Sequence, residues 1–391
     1  MKHWPTKPLG HVLEVSRERI QPLEYPTSSF NYVGLENVEG HTGKLLPYSS
    51  TPGAEIKSTK NVFHPGQILF GKLRPYLNKV HLAREKGICS TDIYVLNPRQ
   101  HQMDAAFASY FLRSPVVLAA VSNAMAGANL PRINEESLLE IPVPVPPLAE
   151  QERLVKLLDE AEELRKLRDQ ADHRTADLIP SLFQEMFGEN VKKPHDRVKL
   201  EQIAEVVSGV AKGRKFNGRL PVEVPYLRVA NVQAGHLDLS EIKTIQALPE
   251  EVEELALRKG DVLLTEGGDF DKLGRGAMLE QDLPNCIHQN HVFRVRVEQS
   301  KLNPVYFAKF LLTGEARGYF LGCAKRTTNL ASINMTQLRV LPVPLPPLPL
   351  QKEFASRVSE IRALQVEQAA SRRRLDELFQ SMLHRAFQGE L

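Results

Sequence analysis

Ile141-Pro-Val-Pro-Val-Pro-Pro-Leu148 recurs 200 residues later as Leu341-Pro-Val-Pro-Leu-Pro-Pro-Leu348. Alternating prolines hold the chain stiffly extended and suit the entry into a helix, and each copy precedes a long stretch with helical periodicity. A repeat of about half the chain length indicates a pseudo-symmetric molecule. We therefore expect the proline runs to be architectural linkers rather than ligands for a proline-binding domain.

The repeat extends beyond the prolines in both directions. Gln151 follows the first proline run as Gln351 follows the second, and upstream Asn37-Val38 matches Asn231-Val232. These matches predict a framework that is common to the two halves. Residues 71–90 and 265–289 share little, which suits two binding modules that recognise different targets.

Length and charge place only broad limits on function. The 391 residues are enough for two to three domains. Lysine and arginine number 50 against 47 aspartate and glutamate, a formal charge of +3, so any basic surface must be local. Because the start of the chain lacks a signal pattern and no apolar stretch approaches about 18 residues, we expect a cytoplasmic protein.

The three cysteines argue against metal or disulfide chemistry. Cys89, Cys286 and Cys323 lie far apart and form no CxxC pair. Cys89 and Cys286 fall at matching places in the repeat, which predicts small buried side chains rather than nucleophiles.

Each half is predicted to begin as mixed α/β structure. Runs rich in β-branched and aromatic residues, bounded by Pro, Gly and Asn, lie at residues 30–38, 67–70, 93–96, 226–229, 261–265 and 292–297. Core helices are predicted at 105–113 and 304–312, where Phe107, Tyr110 and Phe111 match Phe307, Phe310 and Leu311.

The segments after the proline runs read as two long helices with coiled-coil seams. Neither stripe is continuous enough for a stable single helix, so the two copies are expected to pair antiparallel. Pro180 should kink or end the first helix, whereas Gln380 should not affect the second. The predicted seam residues are Leu154, Leu157, Ala161, Leu164, Leu178, Leu182, Ile361, Leu364, Leu375, Leu378 and Met382.

The duplicated order of globular part, P-x-P-x-P-P-L-x-x-Q and long helix resembles the specificity subunit of type I restriction-modification enzymes over the entire chain. Its sharpest local pieces are the stretches at 142–151, 66–76 and 90–93, the last being Ser90-Thr-Asp-Ile93. The second copy departs from the pattern, because Leu350 replaces Glu150 and a different sequence replaces the 72–76 stretch.

This resemblance implies an α+β fold in which two pseudo-symmetric mixed α/β target-recognition domains are joined by two long antiparallel coiled-coil helices. The domains would span 1–147 and 191–347, and the helices 148–190 and 348–391. Each domain would read one half of a bipartite, asymmetric double-stranded DNA site, and the helices would set the spacer. They would also dock two modification subunits, which methylate adenine with S-adenosylmethionine, while restriction subunits would use ATP and Mg²⁺. This chain would carry no cofactor and no catalytic residue.

The candidate DNA-contacting residues are chosen for base-edge and phosphate chemistry. Arginine suits guanine, asparagine and glutamine suit adenine, and lysine mostly holds phosphate. The candidates are Lys72, Arg74, Tyr76, Asn78 and Lys79 in the first half and Arg228, Asn231, Lys272, Arg275, Gln289, Asn290, His291, Lys325 and Arg326 in the second.

Two alternatives belong to other classes. Asn303-Pro-Val-Tyr306 resembles the motif with which adenine methyltransferases hold a flipped base, but no glycine-rich cofactor turn precedes it. Its repeat counterpart Asn97-Pro98 also precedes a helix, so we interpret it as a helix entry. A scaffold that assembles through its helices without DNA is the third hypothesis. Binding of cofactor and of DNA separates these three.

Overall fold

The computed structural model describes residues 4–125, 130–192, 197–268, 273–326 and 331–391. The chain divides into two compact units: unit 1 is Met1–Gln170 with Gln368–Leu391, and unit 2 is Ala171–Glu367. Each unit combines one globular part with segments of the long helices. The mixed α/β character agrees with the prediction from sequence.

The first globular part, in unit 1, consists of short strands and three helices ahead of the first long helix. Its strands are β1 (Thr6–Pro8), β2 (Leu13–Val15), β3 (Arg19–Ile20), β4 (Ser29–Phe30), β5 (Tyr32–Val33), β6 (Thr51–Pro52), β7 (Lys60–Phe63), β8 (Ile68–Gly71), β9 (Val80–Leu82), β10 (Gly87–Cys89), β11 (Ile93–Pro98) and β12 (Pro142–Pro144). Its helices are α1 (Ala105–Arg113), α2 (Pro115–Asn123), α3 (Glu135–Leu139) and the long α4 (Leu148–Ala176). The strands form the sheets β3-β7-β10-β5 and β2-β11-β8-β9 and the pairs β1-β12 and β4-β6.

The second globular part, in unit 2, follows helix α5 (Leu178–Lys192). Its strands are β13 (Arg197–Lys199), β14 (Ala204–Ser208), β15 (Val222–Leu227), β16 (Lys243–Ala247), β17 (Val262–Thr265), β18 (Gly267–Gly268), β19 (Gly276–Met278), β20 (Ile287–His288), β21 (Val292–Val297), β22 (Lys325–Arg326), β23 (Ala331–Ser332) and β24 (Pro342–Pro344). Its helices are α6 (Pro249–Leu255), α7 (Pro304–Phe310), α8 (Gly314–Cys323), α9 (Met335–Arg339) and the long α10 (Leu348–Ala386). The sheets are β14-β21-β17-β19, β16-β15-β20, β18-β23-β22 and β13-β24.

The main sheet of each globular part has the same strand order. The order β2-β11-β8-β9 in unit 1 recurs as β14-β21-β17-β19 in unit 2, with antiparallel neighbours throughout. A parallel pair also recurs, in which Cys89 faces Val33 and His288 faces Leu227. Cys89 therefore occupies the place of His288, and the predicted match with Cys286 is wrong. Both thiols are buried, as predicted.

The proline runs form edge strands. β12 pairs with β1 and β24 with β13, so that Val143 lies opposite Lys7 and Val343 opposite Val198. Both valines are fully buried. Proline cannot donate a hydrogen bond, so a run of this kind fits a two-stranded pair but not a sheet interior. The runs are architectural, as expected, but they are strands rather than free linkers.

A buried glutamine explains the last position of the repeated motif. Oε1 of Gln151 accepts a hydrogen bond from the backbone N of Asp104 at 2.8 Å. Nε2 of Gln151 donates to the carbonyl oxygens of Gln102 and Pro146 at 2.9 and 2.8 Å. Gln351 makes the equivalent three bonds in unit 2. Each glutamine thereby ties the start of a long helix to the start of α1 or α7.

This shared contact also corrects the alignment of the core helices. Gln351 accepts from the backbone N of Asn303, so Asn303 holds the place of Asp104. Counting from these two caps, Phe107 matches Tyr306 rather than Phe307. The predicted pairing of the aromatic residues was therefore displaced by one position, although both helices form where predicted.

The first long helix is interrupted and the second is not. α4 ends at Ala176 and α5 begins at Leu178, whereas α10 runs unbroken from Leu348 to Ala386. In an unbroken helix the ring of Pro180 would collide with the carbonyl group of Ala176, four residues earlier. The prediction for Pro180 is confirmed.

The buried face of the long helices differs from the predicted seam. Leu164, Leu178, Leu364 and Leu378 are between 42% and 52% exposed. Leu157, Leu182, Ile361, Leu375 and Met382 are half-buried, and only Leu154 and Ala161 of the predicted set are buried. The residues that do bury on α4 and α5 are Gln151, Leu154, Leu158, Ala161, Ile179, Phe183 and Phe187. Half-buried polar residues such as Arg165 and Thr175 fill the middle of this face. A seam traced through leucines alone therefore departs from the buried face.

Each long helical segment ends in an aromatic cluster. The ring centre of Phe187 lies 4.7 Å from that of Tyr306 in unit 2. Its repeat counterpart Phe387 lies 5.1 Å from both Phe107 and Phe111 in unit 1. Edge-to-face pairs of this kind add about 0.5–1.5 kcal/mol each beyond the area they bury.

Candidate nucleic-acid interface

Three backbone segments meet at one end of the main sheet in each unit, and we call this meeting place the rim. In unit 1 the rim consists of residues 72–74, 90–92 and 131–133. The backbone N of Lys72 donates to the carbonyl oxygen of Asp92 at 3.0 Å, and that of Ile133 donates to the carbonyl oxygen of Lys72 at 3.1 Å. Loops from distant parts of the sequence are thereby held side by side.

Unit 2 builds its rim with the same bonds, from residues 266–268, 289–291 and 331–333. The backbone N of Glu266 donates to the carbonyl oxygen of His291 at 3.0 Å, and that of Ile333 donates to the carbonyl oxygen of Glu266 at 2.8 Å. Glu266 therefore stands where Lys72 stands in unit 1, and His291 stands where Asp92 stands. The backbone is shared while the side chains change.

The charged side chains of the unit 1 rim are mostly cationic. Nζ of Lys72 lies 5.2 Å from the ring centre of Tyr94, and Nε of Arg132 lies 3.3 Å from Oδ1 of Asp92. Arg74 is exposed and has a positive φ of 49°, a conformation that is uncommon for a residue with a side chain. The Pro75–Leu77 turn that follows exposes 42% of Tyr76.

The unit 2 rim has a different character. Nδ1 of His291 lies 2.5 Å from Oε2 of Glu266, with 57% and 34% of these side chains exposed. Nδ2 of Asn290 lies 3.4 Å from Nε2 of His291. Gln289 is half-buried, and its backbone N donates to the carbonyl oxygen of Leu227. At the position of Glu266, an acceptor therefore stands at this rim where unit 1 presents the donor Lys72.

Four predicted contact residues make hydrogen bonds or ion pairs within the globular parts. Asn78 is 6% exposed, and its Nδ2 donates to the carbonyl oxygen of Arg113 at 2.9 Å. Asn231 is 2% exposed, and its Nδ2 donates to two carbonyl oxygens at 2.8 and 3.0 Å. Nζ of Lys79 donates to a backbone oxygen at 2.6 Å, and Arg228 pairs with Glu241 at 2.9 Å.

Buried amides with satisfied hydrogen bonds cannot read base edges, which corrects the expectation for Asn78 and Asn231. The sequence held a signal for the second of them. Asn37 matches Asn231 in the repeat, and each Oδ1 accepts from the backbone N three residues earlier, at 2.8 and 2.9 Å. A residue kept in both halves belongs to the framework, whereas divergent positions carry the difference.

The remaining candidates belong to the second half of the chain. NH1 of Arg275 donates to Oε1 of Gln233 at 3.1 Å. Lys272 lies outside the described residues. The backbone of Lys325 and Arg326 forms β22 beside β23, and their side chains are outside the described part. The sequence-based list missed Asp92, Arg132 and Glu266, although Asp92 belongs to the quoted Ser90-Thr-Asp-Ile93 motif.

The cysteines and the methyltransferase-like tetrapeptide have structural surroundings in the described parts of the chain. Burial raises the pKa of Cys89 and that of Cys286 to about 12, so both thiols stay protonated. The side chain of Asn303 caps α7, and Tyr306 is fully buried, which confirms that the methyltransferase-like tetrapeptide is a helix entry. Among the described residues, no three His, Cys, Asp or Glu side chains cluster as metal ligands.

Membrane-spanning potential is limited to one bent pair. Within the ranges that the structure describes, no single helix is long and apolar enough to cross a membrane, and only α1 with α2, bent by 59°, meets the length and composition criteria together.

The two units repeat one framework and differ in the side chains of their rims. Comparison with known families identifies the class of protein: the family described as "Type I restriction modification DNA specificity domain" matches residues 1–170 and 193–373. The chain belongs to this family.

Individual relatives agree with the family match. The EcoKI specificity subunit of Escherichia coli K12 is 28% identical over 316 residues, which cover 73% of this chain and 66% of the relative. The EcoDI specificity subunit of Escherichia coli is 31% identical over 189 residues, or 47% of this chain and 41% of the relative. The chain therefore matches between two fifths and two thirds of the length of these two relatives.

Solved structures support the fold. A chain from a type I restriction-modification system aligns with a TM-score of 0.69 at 22% identity, covering 99% of this chain and 98% of the other. The type I S subunit from M. genitalium aligns with a TM-score of 0.54 at 14% identity, covering 98% and 96%. At these identities the likeness concerns the fold alone.

Proposed function

We propose that this chain is the DNA sequence-recognition subunit of a type I restriction-modification complex and has no catalytic activity of its own. The observation that carries the proposal is the pair of rims, which have one backbone and different side chains. Two readers built on one framework suit an asymmetric, bipartite DNA site, because each can select its own half-site. The family membership supports the same conclusion.

The remaining candidates would contact DNA. We assign Lys72, Arg74 and Tyr76 to one half-site and Arg275, Gln289, Asn290 and His291 to the other, with Lys272, Lys325 and Arg326 beside the second. Arginine and amide side chains read base edges, and lysine either neutralises phosphate or donates to guanine. Residues 1–147 and 191–347 would be the target-recognition domains.

The long helices, 148–190 and 348–391, would pair as an antiparallel coiled coil that sets the spacer. Support comes from contacts within each unit: Arg165 pairs with Asp376 at 2.7 Å in unit 1, and Nε2 of Gln365 donates to the carbonyl oxygen of Thr175 at 3.0 Å in unit 2. A polar helix interface of this kind sets register at some cost in stability.

Two methyltransferase subunits would dock on the helices. Support comes from leucines that are exposed at matching repeat positions, Leu164 with Leu364 and Leu178 with Leu378. Two equivalent apolar sites suit two copies of one partner. Leu164→Glu with Leu364→Glu should abolish capture of methyltransferase subunits and leave thermal unfolding unchanged; retained capture would exclude this surface.

The cofactors would belong to the partners, with S-adenosylmethionine on the methyltransferase subunits and ATP and Mg²⁺ on the restriction subunits. Selection from a pool of randomised DNA duplexes, with the full chain alone and with a methyltransferase subunit, tests the proposal. We expect enrichment of two fixed short motifs separated by a spacer of constant length, and no binding of S-adenosylmethionine by this chain.

The two other hypotheses give different results in the same experiments. Tight S-adenosylmethionine binding by the chain alone would instead indicate a methyltransferase. Assembly with partners but no enriched sequence would indicate a scaffold. Because phosphate contacts release counterions, binding of enriched duplexes should also weaken steeply with salt.

A further inference from the structure

The two rims carry opposite charges at one shared backbone position, and at a second shared position one rim has a carboxylate where the other has an imidazole. In unit 1 the first position is Lys72 and the second is Asp92; in unit 2 they are Glu266 and His291. The equivalence rests on two hydrogen bonds that each rim makes, from the first position to the second and from Ile133 or Ile333 to the first. It is independent of any sequence alignment.

These four side chains are accessible. Asp92 is 32% exposed, Glu266 is 34% exposed and His291 is 57% exposed, while Lys72 is half-buried against Tyr94. A molecule that approached the end of the main sheet could therefore reach them without any rearrangement of the backbone.

A need for a side-chain pair between the two positions does not explain why the charge differs between the two rims. Glu266 and His291 contact one another, but Asp92 contacts Arg132 and Lys72 lies over Tyr94. A direct pair between the two positions is therefore not a shared requirement. The backbone bonds are shared, and they hold both rims whatever side chains are present.

The reversal has a direct meaning in hydrogen-bond chemistry. A lysine ammonium can only donate, which suits the O6 and N7 acceptors of guanine in the major groove. A carboxylate can only accept, which suits the N4 amino group of cytosine. Exchanging one group for the other at a fixed backbone position inverts which of these two bases is favoured.

We propose that these two positions determine how the two half-sites differ: Lys72 selects guanine in one half-site, and Glu266 selects cytosine at the corresponding step of the other. Asp92 and His291 complement them by accepting or donating at the neighbouring base. The inference rests on the proposed function, since it assigns base selection to particular residues of the same rims.

Reciprocal charge exchange tests the assignment. Full-length chains carrying Lys72→Glu with Asp92→His, or Glu266→Lys with His291→Asp, are each selected against randomised DNA duplexes beside the parent. The first variant should change one half-site from guanine to cytosine at one base pair and leave the other half-site intact. The second should make the opposite change in the other half-site. The expected shift in preference is roughly 5- to 150-fold.

Matched controls reverse charge away from the rims. Lys86→Glu in unit 1 and Glu253→Lys in unit 2 alter exposed residues and should leave both motifs unchanged. Two single substitutions to a neutral side chain, Lys72→Gln and Glu266→Gln, cover the case in which a double variant fails to fold. Glutamine favours adenine, so each single variant should shift one base pair toward adenine.

The outcomes distinguish a failure of the inference from a failure of the proposed function. A folded variant that enriches the parent motif would overturn the inference while leaving the proposed function in place. A change spread equally over both half-sites would also overturn it, because a general charge effect would then account for the data. A parent chain that enriches no duplex would refute the proposed function and the inference with it.

Discussion

In unit 1 the globular part contacts the long helix through a tyrosine hydroxyl and a guanidinium group. The helix contributes carboxylates to this contact. Oη of Tyr110 donates to Oδ1 of Asp159 at 2.6 Å and to Oε2 of Glu162 at 3.0 Å. Arg113, whose side chain is only 8% exposed, pairs with Oε1 of Glu162 at 3.0 Å. Its guanidinium also donates to the carbonyl oxygen of Thr42 and lies 4.6 Å from the Tyr110 ring centre.

Unit 2 reverses this arrangement. Counted from the capping residues bound by the two buried glutamines, Lys309 holds the place of Tyr110, and Leu312 holds that of Arg113. Counted from the glutamines themselves, Arg362 holds the place of Glu162, and it pairs with Glu280 of the globular part. Burial, and then the nearby Arg362, lowers the pKa of Lys309.

The comparison shows what a duplicated fold must keep and what it can change. The apolar helix faces and the glutamine contacts recur because they create the joint between each globular part and its helix. The charges can reverse, provided that both sides of one joint change together. Each globular part is thereby matched to its own helix.

The largest expected effect comes from breaking this match. Replacing residues 197–347 with a second copy of 6–147 would set Arg113 of the copy against Arg362. A buried cation without its acid costs about 3–5 kcal/mol, so the exchanged chain should unfold at a much lower temperature or fail to accumulate. Thermal unfolding and soluble yield measure the effect.

A compensated exchange provides the control. Adding Arg362→Glu with Ser359→Asp restores the acids that Tyr110 and Arg113 meet in unit 1, so stability should recover. Equal stability of the exchanged chain with and without these two substitutions would show that the charges do not match parts to helices.

The next largest loss of stability should be the same in both units. Gln151→Met and Gln351→Met each remove three buried hydrogen bonds and leave one backbone N–H and two carbonyl groups without their partner. Each should lower the free energy of unfolding by about 3 kcal/mol, as measured in denaturant. The exposed neighbour Glu152→Met is the control. Loss in one unit alone would contradict a shared joint.

The sequence predicted those parts of the fold that the repeat and the strongest local signals determine. The proline runs, the break caused by Pro180 and the core helices are each set by a few neighbouring residues, and they form where predicted. The helix seam was partly wrong, because the buried face passes through polar residues such as Arg165. Whether a polar side chain is buried depends on the partner helix, which no local pattern encodes.

The candidate site was predicted in location rather than in detail. The divergent segments 71–90 and 265–289 do contribute to the rims. Asn78 could not be separated from its exposed neighbour Arg74, because its burial depends on Arg113, distant in the sequence. Glu266 lies at the same offset from Lys72 as Asn231 from Asn37, but only the hydrogen bonds of the backbone show that the two residues hold the same place at a rim.

A smaller effect isolates the charged contact of unit 1. Arg113→Met keeps much of the side-chain volume but leaves the carboxylate of Glu162 without its guanidinium partner, which should cost about 2–3 kcal/mol. The equivalent substitution in unit 2, Leu312→Met, alters a residue that is 43% exposed and should change stability by less than about 0.5 kcal/mol. Similar losses at the two positions would show that the units do not differ at this joint.

The smallest expected effect is a pH dependence of stability. It arises because His288 of unit 2 stands where Cys89 stands in the corresponding sheet of unit 1. His288 is fully buried, and burial lowers its pKa from 6.5 to about 4, while Nδ1 lies 2.7 Å from the carbonyl oxygen of Val292. As pH falls below 6.5, the unfolded chain takes up a proton that folded His288 refuses until about pH 4. Stability is therefore lost across this window, by about 2 kcal/mol at pH 5.

Unit 1 has no such dependence at the equivalent place, because the thiol of Cys89 stays protonated with a pKa of about 12. His288→Cys should give unit 2 the same insensitivity. Unfolding of the variant in denaturant at pH 7.5 and pH 5 should show a difference between the two pH values that is smaller by about 2 kcal/mol than in the parent chain. An acid sensitivity equal to that of the parent would mean that His288 takes up its proton in the folded chain as readily as in the unfolded one.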